Sequence, residues 1–271
     1  MASTAVTRDI DPLSDRAVYK QIADIIRQQI DDGDLGPGDR LPSETDLMQR
    51  FGTARATVRS ALEVLAGEGR VTSARGIGVF VRERHAVPVV VRQTTERFAR
   101  EHRAAGKSPL DVDGEASCVR LRQEVLALEE TPAPPEIAER LQVPSGTTVF
   151  ARRRLVCLDE DGTPLHLADS YIPLSLARGR VREPDSGPGG TYTRIEETLG
   201  RRLSHFTEEL TFRMPTPSET RHLRVGPGIP VVHLVRVAYA DDQPVECFVG
   251  VLASDKHLLE YRIDTDVDTD Q

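Results

Sequence analysis

Cysteine is scarce in this chain: there are three, at Cys118, Cys157 and Cys247, with no C-x-x-C among them. Odd in number and far apart, they suggest neither a disulfide framework nor a zinc site, and buried free thiols are expected. The seven histidines fall in no H-E-x-x-H or comparable spacing, so no metal is expected. No apolar run approaches the roughly 18 residues of a membrane span. The opening segment MASTAVTRDIDPLSDR has no apolar core, so no secretory signal is expected and the protein is read as cytoplasmic. There is no G-x-G-x-x-G, no G-K-[ST] and no nucleophile–base pair, so no cofactor is expected.

The chain is long enough, at 271 residues, for two domains, and 38% hydrophobic residues suffice for a core in each. Net charge is −8, which argues against indiscriminate nucleic-acid binding by the whole surface. Its distribution is uneven. From Arg50 to Arg84 seven basic residues stand against three acidic ones, giving +4 and leaving −12 elsewhere. One basic island on an acidic chain fits a sequence-specific DNA binder.

The first eighty-odd residues carry helical periodicity. Val18, Ile22, Ile25, Ile26 and Ile30 form one stripe, so a helix is expected to end near Gly33. In LGPGDRLPSETDLMQRFG, Ser43 can N-cap a short helix with Asp46 in its first turn, and Gly52 stops it. Thr53 is the expected cap of a third helix starting near Ala54. There Val58, Ala61, Leu62 and Leu65 make the apolar stripe, leaving Arg55 and Arg59 on another face. Two short helices across a tight glycine turn are a helix-turn-helix signature. In that motif the start of the second helix enters the major groove, where arginine donates to guanine O6 and N7. After Gly69, RVTSARGIGVFV alternates like a strand hairpin with a basic, glycine-bearing tip.

The phrases VYKQIADIIRQQIDDGDLGPGDRLPSE, FGTARATVRSALEVLAGEGRV and RGIGVFV, spanning residues 18 to 84, resemble the winged helix-turn-helix of GntR-family bacterial transcription regulators. The resemblance implies DNA contacts from Ser43, Thr45, Arg55, Thr57, Arg59, Arg75 and Gly76. Two positions depart from the family pattern: Thr45 stands where arginine is frequent, and Ala54 where serine or threonine is usual.

The remaining chain contains an internal echo. At a constant offset Leu141, Val143, Gly146, Val149 and Arg154 match Leu223, Val225, Gly228, Val231 and Arg236. Each copy follows a helical turn (PEIAERL, SETRHL) and precedes a turn and second strand (DGTPLHLADSYIP, DDQPVECFVG). Aligning Pro164 with Pro244 sets His166 against Glu246. A unit used twice suggests an α+β domain with pseudo-twofold sheet symmetry. ERFAREHRAAG reads as a helix, and EETPAPPE and REPDSGPGGT read as loops.

Strand alternation puts Arg236 with Val232, Leu234 and Ala238, an apolar face, and Arg154 with Arg152, Phe150 and Val156. A buried arginine needs an anionic partner or several acceptors. Two readings stand: internal salt bridges, for example Arg236 with Glu246, or a pocket for a polar, anionic small molecule lined by Arg152, Arg154, Arg236, His166 and Glu246. The arginine strand, DGTPLHLADSYIP, GGTYTRIEETLG and RVAYADDQPVE also resemble the ligand-sensing UTRA domain of the HutC branch, with a chorismate-lyase-like fold. That resemblance adds Tyr171 to the effector set, and Tyr192 matches a recurrent family position too, though either can simply belong to the core. The resemblance also marks Ala168, where relatives sensing phosphosugars tend to carry glutamate.

The expectation is an α+β protein: a winged helix-turn-helix over 12–82, a linker over 83–92, and an antiparallel-sheet effector and dimerisation domain over 93–266. The expected function is a homodimeric, ligand-responsive regulator, most often a repressor in this family, that binds a double-stranded DNA operator and no membrane. The alternative is an enzyme acting on a small anionic metabolite through the lyase-like domain.

Overall fold

The computed structural model describes residues 9–74, 76–82, 89–93 and 96–262. The chain divides into two compact units, the first comprising Met1–Ala86 and Val225–Ile229 and the second Val87–Arg224 and Pro230–Gln271.

In the first unit, α1 (Val18–Asp31) buries Ile22, Ile25 and Ile26 along its stripe. A capping box starts α2 (Glu44–Phe51): the Asp46 amide donates to the Ser43 hydroxyl at 3.2 Å, and the Ser43 amide donates to the Asp46 carboxylate at 3.1 Å. Gly52 ends α2 at φ +59°, a left-handed turn that a residue without Cβ adopts without strain. The third helix, α3 (Arg55–Gly67), starts one residue later than Thr53 capping requires. Ala54 holds the cap position and offers no side-chain acceptor, so this helix start has no side-chain cap. Next, β1 (Val71–Ala74) and β2 (Gly78–Val81) form an antiparallel hairpin that pairs Val71 with Val81 and Ala74 with Gly78. Ile22, Ile26, Leu47, Phe51, Val58, Leu62, Leu65, Val71 and Val81 close the core of this winged helix-turn-helix.

The second unit begins with β3 (Val90–Gln93), which lies partly within the stretch expected as a linker. The segment ERFAREHRAAG is helical but broken, into a 3-10 turn Glu96–Phe98 and α4 (Arg100–Ala104). An unforeseen helix, α5 (Pro109–Ala116), opens on a Ser108–Asp111 capping box. Then follow β4 (Leu121–Pro132), α6 (Pro135–Arg140), β5 (Thr148–Leu158), β6 (Pro164–Pro173), α7 (Gly190–Leu199), β7 (His205–Arg213), α8 (Pro217–Leu223), β8 (Val231–Ala240), β9 (Gln243–Ala253) and β10 (His257–Glu260). The first half of EETPAPPE is thus strand, not loop. Cys157 and Cys247 are buried as expected, but Cys118 is exposed, in a turn after α5 where its φ is +54°.

Six strands form one antiparallel sheet in the order β4-β5-β6-β9-β8-β7, while β3 pairs in parallel with β10. The order is a mirror: β4-α6-β5-β6 and β7-α8-β8-β9 are the same unit, meeting along β6 and β9. The register confirms the duplicated arrangement. The offset that carries Pro164 to Pro244 also carries Asp169 to Val249, and those two residues face each other across the seam. A pseudo-twofold axis therefore passes between them.

Alternation splits the sheet into two apolar faces. Val149, Ala151, Tyr171, Val235, Val237 and Cys247 pack with Ile137 and Leu141 from the α6 side. On the other face Phe150, Ile172 and Ala238 pack with Tyr192 and Ile195 of α7, and Val156, Leu234, Phe248 and Leu252 with Val90 of β3.

Candidate functional site

In the first unit two exposed cations stand together at the start of α3. Arg55 and Arg59 stand one turn apart with side chains 58% and 60% exposed. Glu44, the first residue of α2, reaches both: Arg59 Nε lies 3.0 Å from Oε1 and Arg55 Nε 3.6 Å from Oε2. One carboxylate thus fixes the splay of two guanidiniums while leaving both open. Exposed pairs of this kind are worth at most about 1 kcal/mol, so a nucleic-acid partner displaces them readily. Ser43 and Thr45 flank Glu44 and are exposed, Thr57 is partly buried between the arginines, and Gly76 is exposed at the wing turn with φ +77°. Arg75 lies outside the described residues. The role of Glu44 was not read from the sequence, although it belongs to the recognised S-E pair.

In the second unit, a cavity of about 100 Å³ sits over the α7-covered face of the sheet. Its lining includes Arg154, His166, Arg236 and Glu246 from the expected set, together with Arg92, Arg97, Ser170, Ser186, Tyr192 and Phe248. The register explains why there is room. Arg154, Ala168, Gly250 and Leu234 lie in one row across β5-β6-β9-β8. Ala168 and Gly250 make a low floor in the middle of that row. A Cβ at Gly250 would come within 2.9 Å of the Phe248 ring. Arg154 and Arg236 approach from strands three spacings apart, roughly 14 Å at the usual strand separation.

The two arginines matched by the repeat are held differently. Arg154 donates to the Ala168 carbonyl at 3.3 Å and the Ser170 hydroxyl at 2.5 Å, both neutral acceptors. Arg236 donates to Tyr192 Oη at 3.2 Å and to Glu208 at 3.0 Å, and lies over the Phe98 and Phe248 rings at 4.5 and 4.6 Å. Its carboxylate partner is Glu208 rather than Glu246. Arg152 is wholly buried, and its guanidinium donates to the Val181, Glu183 and Pro184 carbonyls beside the cavity rather than into it. Tyr171 is not brought to the cavity: its odd position on β6 turns it to the opposite face, against Ala151, Val235 and Cys247.

Arg92 and Arg97 are the residues that sequence reasoning missed. Arg97 pairs with Asp113 at 2.8 Å, and Arg92 stands 3.7 Å from Glu208. Burial, then the neighbouring Arg97 and Arg236, push the Arg92 guanidinium down to about 9, so it stays charged at neutral pH.

His166 and His257 touch through Nδ1 and Nε2 at 3.1 Å, and His257 Nδ1 lies 2.9 Å from the Ala253 carbonyl. A carbonyl only accepts, so His257 Nδ1 carries the proton and its Nε2 accepts from His166 Nδ1. His166 Nε2 is left as a bare acceptor. Burial holds both rings below their ordinary 6.5, His257 at about 4, with Arg92 and Arg97 adding to the effect at both, Arg154 at His166 and Lys256 at His257. A depressed histidine contributes stability that is complete above the unfolded value of 6.5 and is lost as pH falls towards the folded value. The melting temperature is therefore expected to drop between pH 6.5 and 4.5, with a shallower slope in His257→Asn. An identical slope in that variant would remove the pair from the account.

Among the described residues no helix is long and apolar enough to cross a membrane, and no cluster of His, Cys, Asp or Glu is built to hold a metal.

Residues 18–81 match the model for bacterial regulatory proteins of the gntR family, and residues 116–257 match the UTRA domain. An uncharacterized HTH-type transcriptional regulator of Streptomyces coelicolor is 31% identical over 90% of this chain and 91% of its own. The histidine utilization repressor of Pseudomonas putida is 28% identical over 90% and 91%. The mannosyl-D-glycerate transport/metabolism system repressor MngR of Escherichia coli K12 is 29% identical over 84% and 87%. A solved structure described as a GntR-family transcriptional regulator overlays with TM-score 0.65 at 27% identity, covering 92% of this chain and 98% of that one. These relatives are transcriptional regulators, and the enzyme alternative for the second unit falls with them. The chain belongs to the GntR family, as a transcriptional regulator that couples a GntR DNA-binding domain to a UTRA effector-binding domain.

Proposed function

We propose that the protein is a homodimeric repressor that reads a pseudo-palindromic operator with α3 and is modulated by a small polar, anionic effector in the sheet cavity. The DNA-binding domain is assigned to 12–82, the linker to 83–92 and the effector domain to 93–266. Contacts to DNA are assigned to Ser43, Thr45, Arg55, Thr57, Arg59, Arg75 and Gly76. The observation that carries the effector reading is the meeting of Arg154 and His166 from one half-sheet with Arg236 and Glu246 from the other around one cavity. Relatives named for histidine utilization and for mannosyl-D-glycerate support a small polar metabolite as the effector class.

Two copies are supported by the size of the reading surface, since one helix presenting two arginines covers only a half-site. The sheet edges agree, because β4 and β7 leave Leu126 and Phe212 exposed, at 46% and 69%. Effector binding changes operator affinity only as far as the effector prefers one form of the protein over the other.

The experiment is Arg154→Ala, assayed for operator binding with and without a co-purifying or melting-shift ligand. Operator affinity is expected to stay within about twofold, since Arg154 is assigned to the effector and none of the assigned DNA contacts, while the ligand response disappears. Normal release of DNA by this variant would place the effector elsewhere.

A further inference from the structure

The charges around the cavity are unevenly answered. At the β5 end Arg154, which lines the cavity, feels the negative charge of Glu246 and Asp169, and Arg152 beside the cavity feels that of Glu246 and Asp185. At the β8 end Arg236, Arg92 and Arg97 face two carboxylates, Glu208 and Asp113. The second end therefore keeps one guanidinium more than its paired carboxylates. At the second end the excess is visible as unused donors. Arg92 is 2% exposed and Arg97 6%, both line the cavity, and Nε and Nη2 of Arg92 and Nε and Nη1 of Arg97 find no hydrogen-bond acceptor. A buried guanidinium with empty donors is costly unless something fills them. Between the ends lies the Ala168–Gly250 floor, with two bare acceptors above it, Glu246 Oε2 and His166 Nε2.

Resting on the effector reading above, we infer that Arg92 and Arg97 form a second anion subsite opposite Arg154, so that the effector is a small dicarboxylate lying across the pseudo-twofold axis. One carboxylate takes Arg154 and Ser170; the other takes the empty donors of Arg92 and Arg97. Planar carboxylates suit paired guanidinium N–H groups. A hydroxyl or amino group on the connecting carbons donates to Glu246 or to His166.

The test uses the full chain with succinate, malate and glutarate as probes, against butyrate and inorganic phosphate, read by melting shift and calorimetry. At least one dicarboxylate is expected to raise the melting temperature, with butyrate and phosphate binding roughly tenfold or more weakly, the scale of a lost charged hydrogen bond. Arg92→Met and Arg97→Met should each lose that preference and bind dicarboxylate and butyrate alike. Ligand-free Arg92→Met should melt no lower than the parent, because removing an underused buried charge relieves desolvation; a clear drop would make Arg92 structural and overturn the inference. Equal binding of butyrate, tighter binding of phosphate, no response to any dicarboxylate, or an unchanged preference in Arg92→Met each overturn it as well. The two readings fail separately. DNA release by a ligand indifferent to Arg92 leaves the effector cavity standing without the second subsite. Arg92-dependent dicarboxylate binding that leaves operator affinity untouched keeps the subsite and removes its regulatory role.

Discussion

Arg59→Ala is expected to cost the protein its operator selectivity, lowering affinity for the specific site towards that for scrambled DNA. Arg55→Ala should act alike, and the double variant should bind both duplexes equally in an anisotropy titration at fixed salt. Each bidentate arginine–guanine contact contributes roughly 1–3 kcal/mol of discrimination, and the proposed dimer would lose it at both half-sites. Nonspecific binding should fall much less, since it rests on the summed positive charge rather than on base readout. The geometry singles out these two because they are exposed, lie on one helix face and are splayed by Glu44. Selectivity retained by the double variant would move the reading surface off α3. Ala54 sharpens the expectation: with no hydroxyl at the helix start, less of the reading can be shared with a neighbour.

Asp113→Ala should be the most destabilising change in the effector domain. Asp113 and Arg97 are 2% and 6% exposed and 2.8 Å apart, and burial opposes both charges, raising the carboxyl and lowering the guanidinium. The intact pair is therefore a poor source of net stability, yet breaking it strands Arg97 as a buried charge, at about 3–5 kcal/mol. Urea unfolding of the full chain measures it on the effector-domain transition. The double replacement Arg97→Met with Asp113→Leu should recover most of the loss. If Asp113→Ala unfolds at the parental midpoint, water or another carboxylate serves Arg97, and the charge count at that end of the cavity must be redrawn.

Much of this was legible from residue order. Helical spacing gave α1 to α3 and put Arg55 and Arg59 together, while strand alternation put Arg236 among Val232, Leu234 and Ala238. The repeated phrases anticipated a mirrored sheet and set Arg154 with Arg236 and His166 with Glu246. Alternation alone also excludes Tyr171 from the face of His166; the family resemblance brought it in. Arg92, Arg97, Asp113 and Glu208 were not legible, because each is a single charge in an ordinary segment and only tertiary packing brings them together. The α5 cap was readable as S-P-L-D, but Gly114 within so short a helix masks its periodicity.

The mirrored sheet has a kinetic consequence. Within each half, strand follows helix follows strand, so its contacts are between near neighbours in sequence and close early. The β6–β9 seam joins residues far apart along the chain and must wait for a large loop to close. The Ala168–Gly250 floor belongs to that seam. A molecule spanning it therefore clamps the part of the domain assembled last and opened first, and its presence should show most strongly as slowed amide exchange along β6 and β9.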